Sequence, residues 1–249
     1  MNTAIIPADH PEAVEKAVEV LRRGGLVAFP TDTVYGVGAP AFDAQAVTRL
    51  YQAKERPGDK AIPLLLADVA DLPAVVESIP LLAERLAARF WPGPLTLVLR
   101  KRPVVPDVVT AGGDSVAVRV PDHPVARGLI AALGAPLAAT SANRSGQPDP
   151  VTAEEVLTQL GGRVDLILDG GPCPGGVPST VLDLTVSPPA VLRPGPVSAE
   201  EIEQEARSKG QGPHCLVASL PHRILHPASC TEEPGTCASL SVRITLATC

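Results

Sequence analysis

Short apolar stretches alternate with amphipathic helical stretches from the N-terminus to about residue 205, and few architectures accept that pattern. Val14, Ala17, Val18 and Leu21 share one helical face, with Asp9 as the expected cap, Pro11 near the first turn and Gly24-Gly25 as the stop. GLVAFP reads as a strand, and TDTVYGVGAP after it as a loop punctuated by Gly36, Gly38 and Pro40. Asp43 caps a second helix carrying Val47, Leu50 and Tyr51. The charged loop KERPGDKA leads to an IPLLLA strand, and PLLAERLAARFW is a helix closed by Pro92-Gly93-Pro94. LTLVLR and SVAVRV are strands, residues 124–133 a helix, and PLAAT a strand running into SANRSGQP. VTAEEVLTQL is a helix with a Thr152/Glu155 capping box; DLILD, STVLDL and AVLR are further strands, and Ser198 opens a last helix. The expectation is a mixed α/β (α+β) domain over residues 1–205.

Beyond about residue 205 the pattern stops. Residues 206–249 show no sustained helical period, and their only strand-like runs are HCLVASL and LSVRITLA. Cys215, Cys230, Cys237 and Cys249 fall here, whereas Cys173 stands alone before it. A segment this short rarely builds its own core, so a poorly ordered tail is expected. His214, Cys215, His222, His226, Cys230 and Cys237 lack CxxC or related spacing, which argues against a metal site. One cysteine in the main domain gives no disulfide framework. The N-terminus has no basic segment followed by an apolar one, and no run reaches 18 apolar residues, so a cytoplasmic chain with no membrane partner is expected. Apolar residues make up 45% of the chain, enough for a core. Aromatics at 2% and a net charge of −6 disfavour a broad nucleic-acid groove lined with stacking rings.

Four segments place polar groups just after strands, where open α/β sheets bind ligands. Thr31, Thr33 and Tyr35 offer hydroxyls in a glycine-flanked turn. Lys54, Arg56 and Lys60 put three cations in seven residues, suited to carboxylate or polyphosphate. Thr140, Ser141, Asn143 and Ser145 follow an apolar strand with hydroxyls and an amide. Arg119 and Arg193 sit on otherwise apolar strands and call for anionic partners, either a ligand or an internal carboxylate. Ser179-Thr180 is a weaker signal. Each segment alone also fits ordinary turn and capping chemistry. No P-loop, GxGxxG or GxSxG motif is present, and His10 and His123 stand apart. The chemistry indicated is electrostatic positioning of anions without a covalent nucleophile.

In order, GGLVAFPTDTVYGVG, Lys54-x-Arg56 within KERPGDKAIPLLL, FWPGPLTLVL, VAVRVPDHP, Ser141-x-Asn143 within TSANRSG, PSTVLDL and VLRPG resemble the YrdC/TsaC-like family of threonylcarbamoyl-AMP synthases. The resemblance covers about residues 5–205 and is of the single-domain type; Val37 departs from the leucine more usual there. It implies a twisted mixed sheet flanked by helices around a concave basic pocket. It implies synthesis of L-threonylcarbamoyl-adenylate from L-threonine, bicarbonate and ATP, with magnesium, for a separate complex that modifies tRNA beside the anticodon. Contact with tRNA itself is not required.

The resemblance also implies roles. Lys54 and Arg56 would be catalytic. Thr33, with Tyr35 and Thr31, would shape the threonine pocket, Arg119 would pair with the threonine carboxylate, and Ser179 would close that side. Arg56, Lys60, Thr140, Ser141, Asn143, Ser145 and Arg193 would hold ATP. No residue is an evident general base. The rival readings are a relative of the same fold that binds nucleotide without making an adenylate, and an RNA-binding module.

Overall fold

The computed structural model describes residues 2–207 and 245–246. Eleven strands form a single mixed sheet: β1 (Ala4–Pro7), β2 (Val27–Phe29), β3 (Gly36–Pro40), β4 (Leu64–Leu65), β5 (Leu95–Arg100), β6 (Ser115–Arg119), β7 (Leu137–Ser141), β8 (Leu166–Asp169), β9 (Thr180–Asp183), β10 (Ala190–Arg193) and β11 (Thr245–Leu246). Their order is β1-β8-β2-β3-β7-β4-β6-β5-β9-β10-β11. Among the described residues six α-helices pack on it: α1 (Ala13–Arg22), α2 (Ala44–Lys54), α3 (Leu81–Phe90), α4 (Pro124–Leu133), α5 (Ala153–Leu160) and α6 (Ala199–Arg207).

Local chemistry sets most helix ends. Asp43 accepts from the backbone N–H of Gln45 and Ala46 at the start of α2. His123 caps α4 with Pro124 at the first position, and Gly134 ends it at φ 73°. Ser198 and Glu201 exchange hydrogen bonds before α6, a capping box. Asp9 does not cap α1, which starts after Glu12.

The expected loop over residues 31–40 is corrected: its second half is strand β3, paired antiparallel with β2 and β7. Glycine hid it, because Gly36 and Gly38 lower strand propensity. Here they are required by close approach. A Cβ on either would meet the Phe29 ring at 3.3 Å. β1 also escaped the sequence reading; it pairs parallel with β8. In the C-terminal segment, Thr245–Leu246 falls within the strand-like LSVRITLA run and pairs parallel with β10. The expected disorder of the rest of that segment, its other strand and its His/Cys cluster lie outside the described residues.

The two faces of the sheet are covered unequally. Leu95, Leu97, Leu99, Val116, Val118, Leu64, Ala138 and Leu182 point to one face and form one core with α2, α3, α5 and α6. On the other face Val27, Phe29, Leu65, Leu137, Ala139 and Leu168 pack under α1 and α4. Those two helices cover the side of the sheet from β8 to β4. The β6-β5-β9-β10 side of this face carries no helix among the described residues. Strand alternation turns Thr96 and Val98 of β5, and Ala117 and Arg119 of β6, toward that open half.

Candidate active site

A cavity of about 490 Å³ occupies the open half. Its floor is a row running straight across five strands. Leu65 of β4 pairs with Arg119 of β6. Extending the Leu97–Val118 register by one residue sets Thr96 of β5 opposite Arg119. Thr96 pairs with Val181 of β9, and Val181 with Arg193 of β10. A parallel row holds Ala117, Val98 and Asp183. Thr31, Thr33, Arg56, Thr140, Ser141, Asp149 and Ser179 complete the walls.

Arg119 is buried and committed on three sides. Its Nε donates to Gly93 C=O at 2.9 Å, Nη1 to Thr33 Oγ1 at 3.1 Å and Nη2 to Asp32 Oδ1 at 2.5 Å. The internal carboxylate left open by the sequence is therefore Asp32, which also accepts from Asp122 N–H. Burial lowers the Arg119 pKa and Asp32 opposes that shift. Two of the five guanidinium hydrogens stay free for a ligand.

The threonines are ordered by the same accounting. Thr31 gives its hydroxyl hydrogen to Val34 C=O at 2.7 Å. The hydrogen in the 3.0 Å Thr31–Thr33 contact therefore belongs to Thr33. Thr33 Oγ1 also accepts from Arg119, so it faces a ligand with one lone pair and no hydrogen.

At the end of α2 the three residues Lys54-Glu55-Arg56 point three ways. Glu55 takes a left-handed conformation at φ 53° and reaches outward to Arg144 and Arg163. Arg56 turns to the cavity, bracing Nε and Nη2 on the carbonyls of Lys60 and Ala61 at 3.0 and 2.9 Å. Lys54 turns inward. It is 1% exposed, and Nζ donates to Ser141 C=O, Asn143 C=O and, at 3.0 Å, Asn143 Oδ1. Burial, with Arg56 nearby, brings its pKa down to about 7.

The residues singled out in the sequence thus separate. Thr31, Thr33, Arg56, Arg119, Thr140, Ser141, Ser179 and Arg193 do line the cavity. Lys54, Tyr35, Lys60, Asn143 and Ser145 are not among its walls. The Lys54 ammonium is enclosed by the oxygens of Ser141 and Asn143. Tyr35 is fully buried, and its hydroxyl donates to Gly171 C=O at 2.8 Å behind the site. Burial raises its pKa far above the usual tyrosine range. Lys60 contributes its carbonyl, which accepts from Arg56 and Tyr51. Asn143 braces the loop, accepting from Ser141 Oγ at 2.6 Å and donating to Gln147 C=O at 2.5 Å. Ser145 supports the same loop by its N–H to Lys54 C=O at 2.9 Å.

Sequence reasoning missed Asp32, Thr96, Asp149 and Asp183. Thr96 had a signal: it is the one polar residue among the alternating positions of LTLVL. Asp149 had none, since only the fold brings it to face Lys54 and Arg193. Among the described residues no three His, Cys, Asp or Glu side chains converge on a metal site, and no helix is long and apolar enough to cross a membrane.

The chain is similar to known proteins over most of its length. The threonylcarbamoyl-AMP synthase of Pyrococcus abyssi is 51% identical over 188 residues, covering 76% of this chain and 55% of that protein. The Bacillus subtilis threonylcarbamoyl-AMP synthase is 47% identical over 194 residues, covering 76% and 55%. The chain therefore spans about half the length of these curated relatives. The crystal structure of P. abyssi Sua5 complexed with L-threonine superposes with a TM-score of 0.79 at 47% identity, covering 82% of this chain and 61% of that one. Residues 19–195 match the Sua5/YciO/YrdC family model, described as telomere recombination. That span runs from α1 through β10 and contains every cavity wall named above, so the chain belongs to the Sua5/YciO/YrdC family.

Proposed function

We propose that the chain joins L-threonine, bicarbonate and ATP into L-threonylcarbamoyl-adenylate and releases pyrophosphate. The observation that carries this reading is the row across the sheet. It sets the buried Arg119 guanidinium and Thr96 hydroxyl in line with the more exposed Arg193, flanked by Thr33 and Ser179, in one cavity with Arg56, Thr140 and Ser141. The threonine amine attacks the bicarbonate carbon to give a carbamate and water. A carbamate oxygen then attacks the α-phosphorus and pyrophosphate leaves.

Two anions must meet, so repulsion is the barrier, and fixed guanidinium groups lower it without reorganising. Arg119 serves the amino-acid end, and Arg193, expected from the resemblance at ATP, stands between the two ends through its bonds to Ser179. Arg56, braced through Nε and Nη2 on the carbonyls of Lys60 and Ala61, faces the phosphates. Ser141 has given its hydrogen to Asn143, so it offers lone pairs, suited to a ribose hydroxyl or base amine rather than to phosphate oxygens. Lys54 and Asn143 act by holding that loop. Magnesium fits as an ion carried on ATP, where phosphate oxygens and water supply most ligands and Asp149 and Asp183 are the nearby carboxylates. Bound there, it would neutralise phosphate charge. The product would pass to the complex that modifies tRNA, which places the reaction in the cytoplasm.

The test is pyrophosphate release by purified protein with ATP, bicarbonate and magnesium. Release that depends on L-threonine is expected; release without it, or none with it, overturns the reading.

A further inference from the structure

Thr96 and Ser179 make a hydroxyl pair in the cavity floor, 2% and 4% exposed. Their oxygens are 2.8 Å apart. Arg193 donates to this pair and takes nothing back. Its Nη2 reaches Ser179 Oγ at 3.1 Å, and Nε and Nη2 reach Ser179 C=O at 3.0 and 2.9 Å. The two hydroxyls own two hydrogens, and one lies between them. Neither hydroxyl has another protein acceptor among the described residues, so the second hydrogen has none. That hydrogen is available to the cavity that both residues line, where a ligand can accept it in place of solvent. Arg193 stands on one side of the pair and Arg119 on the other, opposite Thr96 in the strand register. The group that fits between two guanidiniums and a hydroxyl donor is an anionic oxygen. Thr33 has the opposite polarity, a lone pair only.

We propose that Thr96 is a positioning residue for the amino-acid substrate: it holds the Ser179 hydroxyl so that its one free hydrogen is donated to the substrate carboxylate. Thr96 donates to Ser179 Oγ. With the Arg193 bond this fills both Ser179 lone pairs and turns the Ser179 hydrogen into the cavity. The substrate's own donors, its hydroxyl or amine, then face Thr33. The pair thereby fixes which way round the amino acid lies. This rests on the synthase reading for the identity of the amino acid.

Direct calorimetric binding of L-threonine and of ATP tests it, using the full chain and the variants T96V, T96S, S179A and T96V/S179A. T96V should weaken L-threonine binding roughly tenfold, the loss of one buried hydrogen bond, while leaving the Kd for ATP within about twofold. T96S should restore it. In the S179A background T96V should add less than about twofold, because its partner is gone. Normal L-threonine binding by folded T96V, equal losses for ATP and threonine, or independent effects of T96V and S179A would each overturn the proposal. If T96V does not fold, S179A decides: undiminished L-threonine binding overturns it, and a loss confined to L-threonine supports it. Binding needs no turnover. A wild type that binds L-threonine but releases no pyrophosphate defeats the synthase reading alone, and a wild type that binds none defeats the donor pair.

Discussion

At the scale of single residues, the site is organised by which hydrogens and lone pairs remain after the protein has taken its own. Lys54 shows the consequence most clearly. A lysine beside Arg56 in a polar loop looks like a phosphate ligand, yet its ammonium is surrounded by three oxygens of the segment 141–143. Its removal leaves buried acceptors without a donor. Lys54→Met should cost about 3 kcal/mol of stability, read as a lowered urea midpoint, and should weaken nucleotide binding through a loosened loop. Lys54→Arg should not restore it, since the larger planar group does not fit a compact three-oxygen cage. A Lys54→Met protein of normal stability with lost turnover would return the residue to direct chemistry.

At the scale of elements, strand β3 shows how packing overrides propensity. Two glycines in five residues argue for a loop, but a Cβ on either would press on the Phe29 ring at 3.3 Å, and one on Gly38 also on Ala139 at 3.3 Å. Gly38→Val should therefore destabilise the fold by about 2 kcal/mol through overpacking, even though valine is the better strand former. Replacing Phe29 with leucine in the same protein should recover part of the loss, because the aromatic edge is the obstacle; equilibrium unfolding of the two variants checks both statements. Helix α2 makes a complementary point. Its capping by Asp43 was plain from local residues. The left-handed turn at Glu55, which sends Lys54 and Arg56 in different directions, was not, because glycine or asparagine is the usual resident of that conformation.

At the scale of the whole molecule, the cavity exists because one sheet face is only half covered. α2, α3, α5 and α6 close one side, and α1 with α4 close part of the other. The last helix belongs to this arrangement: Ile202 is 1% exposed, and Glu205 pairs with Arg85 and Arg89 of α3. Truncation after Arg207 should keep threonine-dependent pyrophosphate release and a thermal midpoint within a few degrees of the full chain. Truncation before Ala199 should lower that midpoint sharply, because it uncovers the core under α6. A collapse on cutting after Arg207 would show that the parallel strand at Thr245–Leu246 is integral to the sheet.

The sequence by itself determined what depends on neighbours in the chain: the six described helices, most strands, the caps at Asp43, Thr152 and Ser198 but not the one expected at Asp9, and an ordered set of motifs specific enough to indicate the family. Those signals are local because helical and strand periods repeat every few residues. Only the tertiary structure decided which motif residues share a cavity, that Arg119 is already balanced by Asp32, that Lys54 is held by Asn143 and Tyr35 by Gly171, and that Thr96 meets Ser179. Those partners lie more than eighty residues apart in the chain. Whether they meet is set by strand order and register, and periodicity along the chain says nothing about which strand will lie beside which.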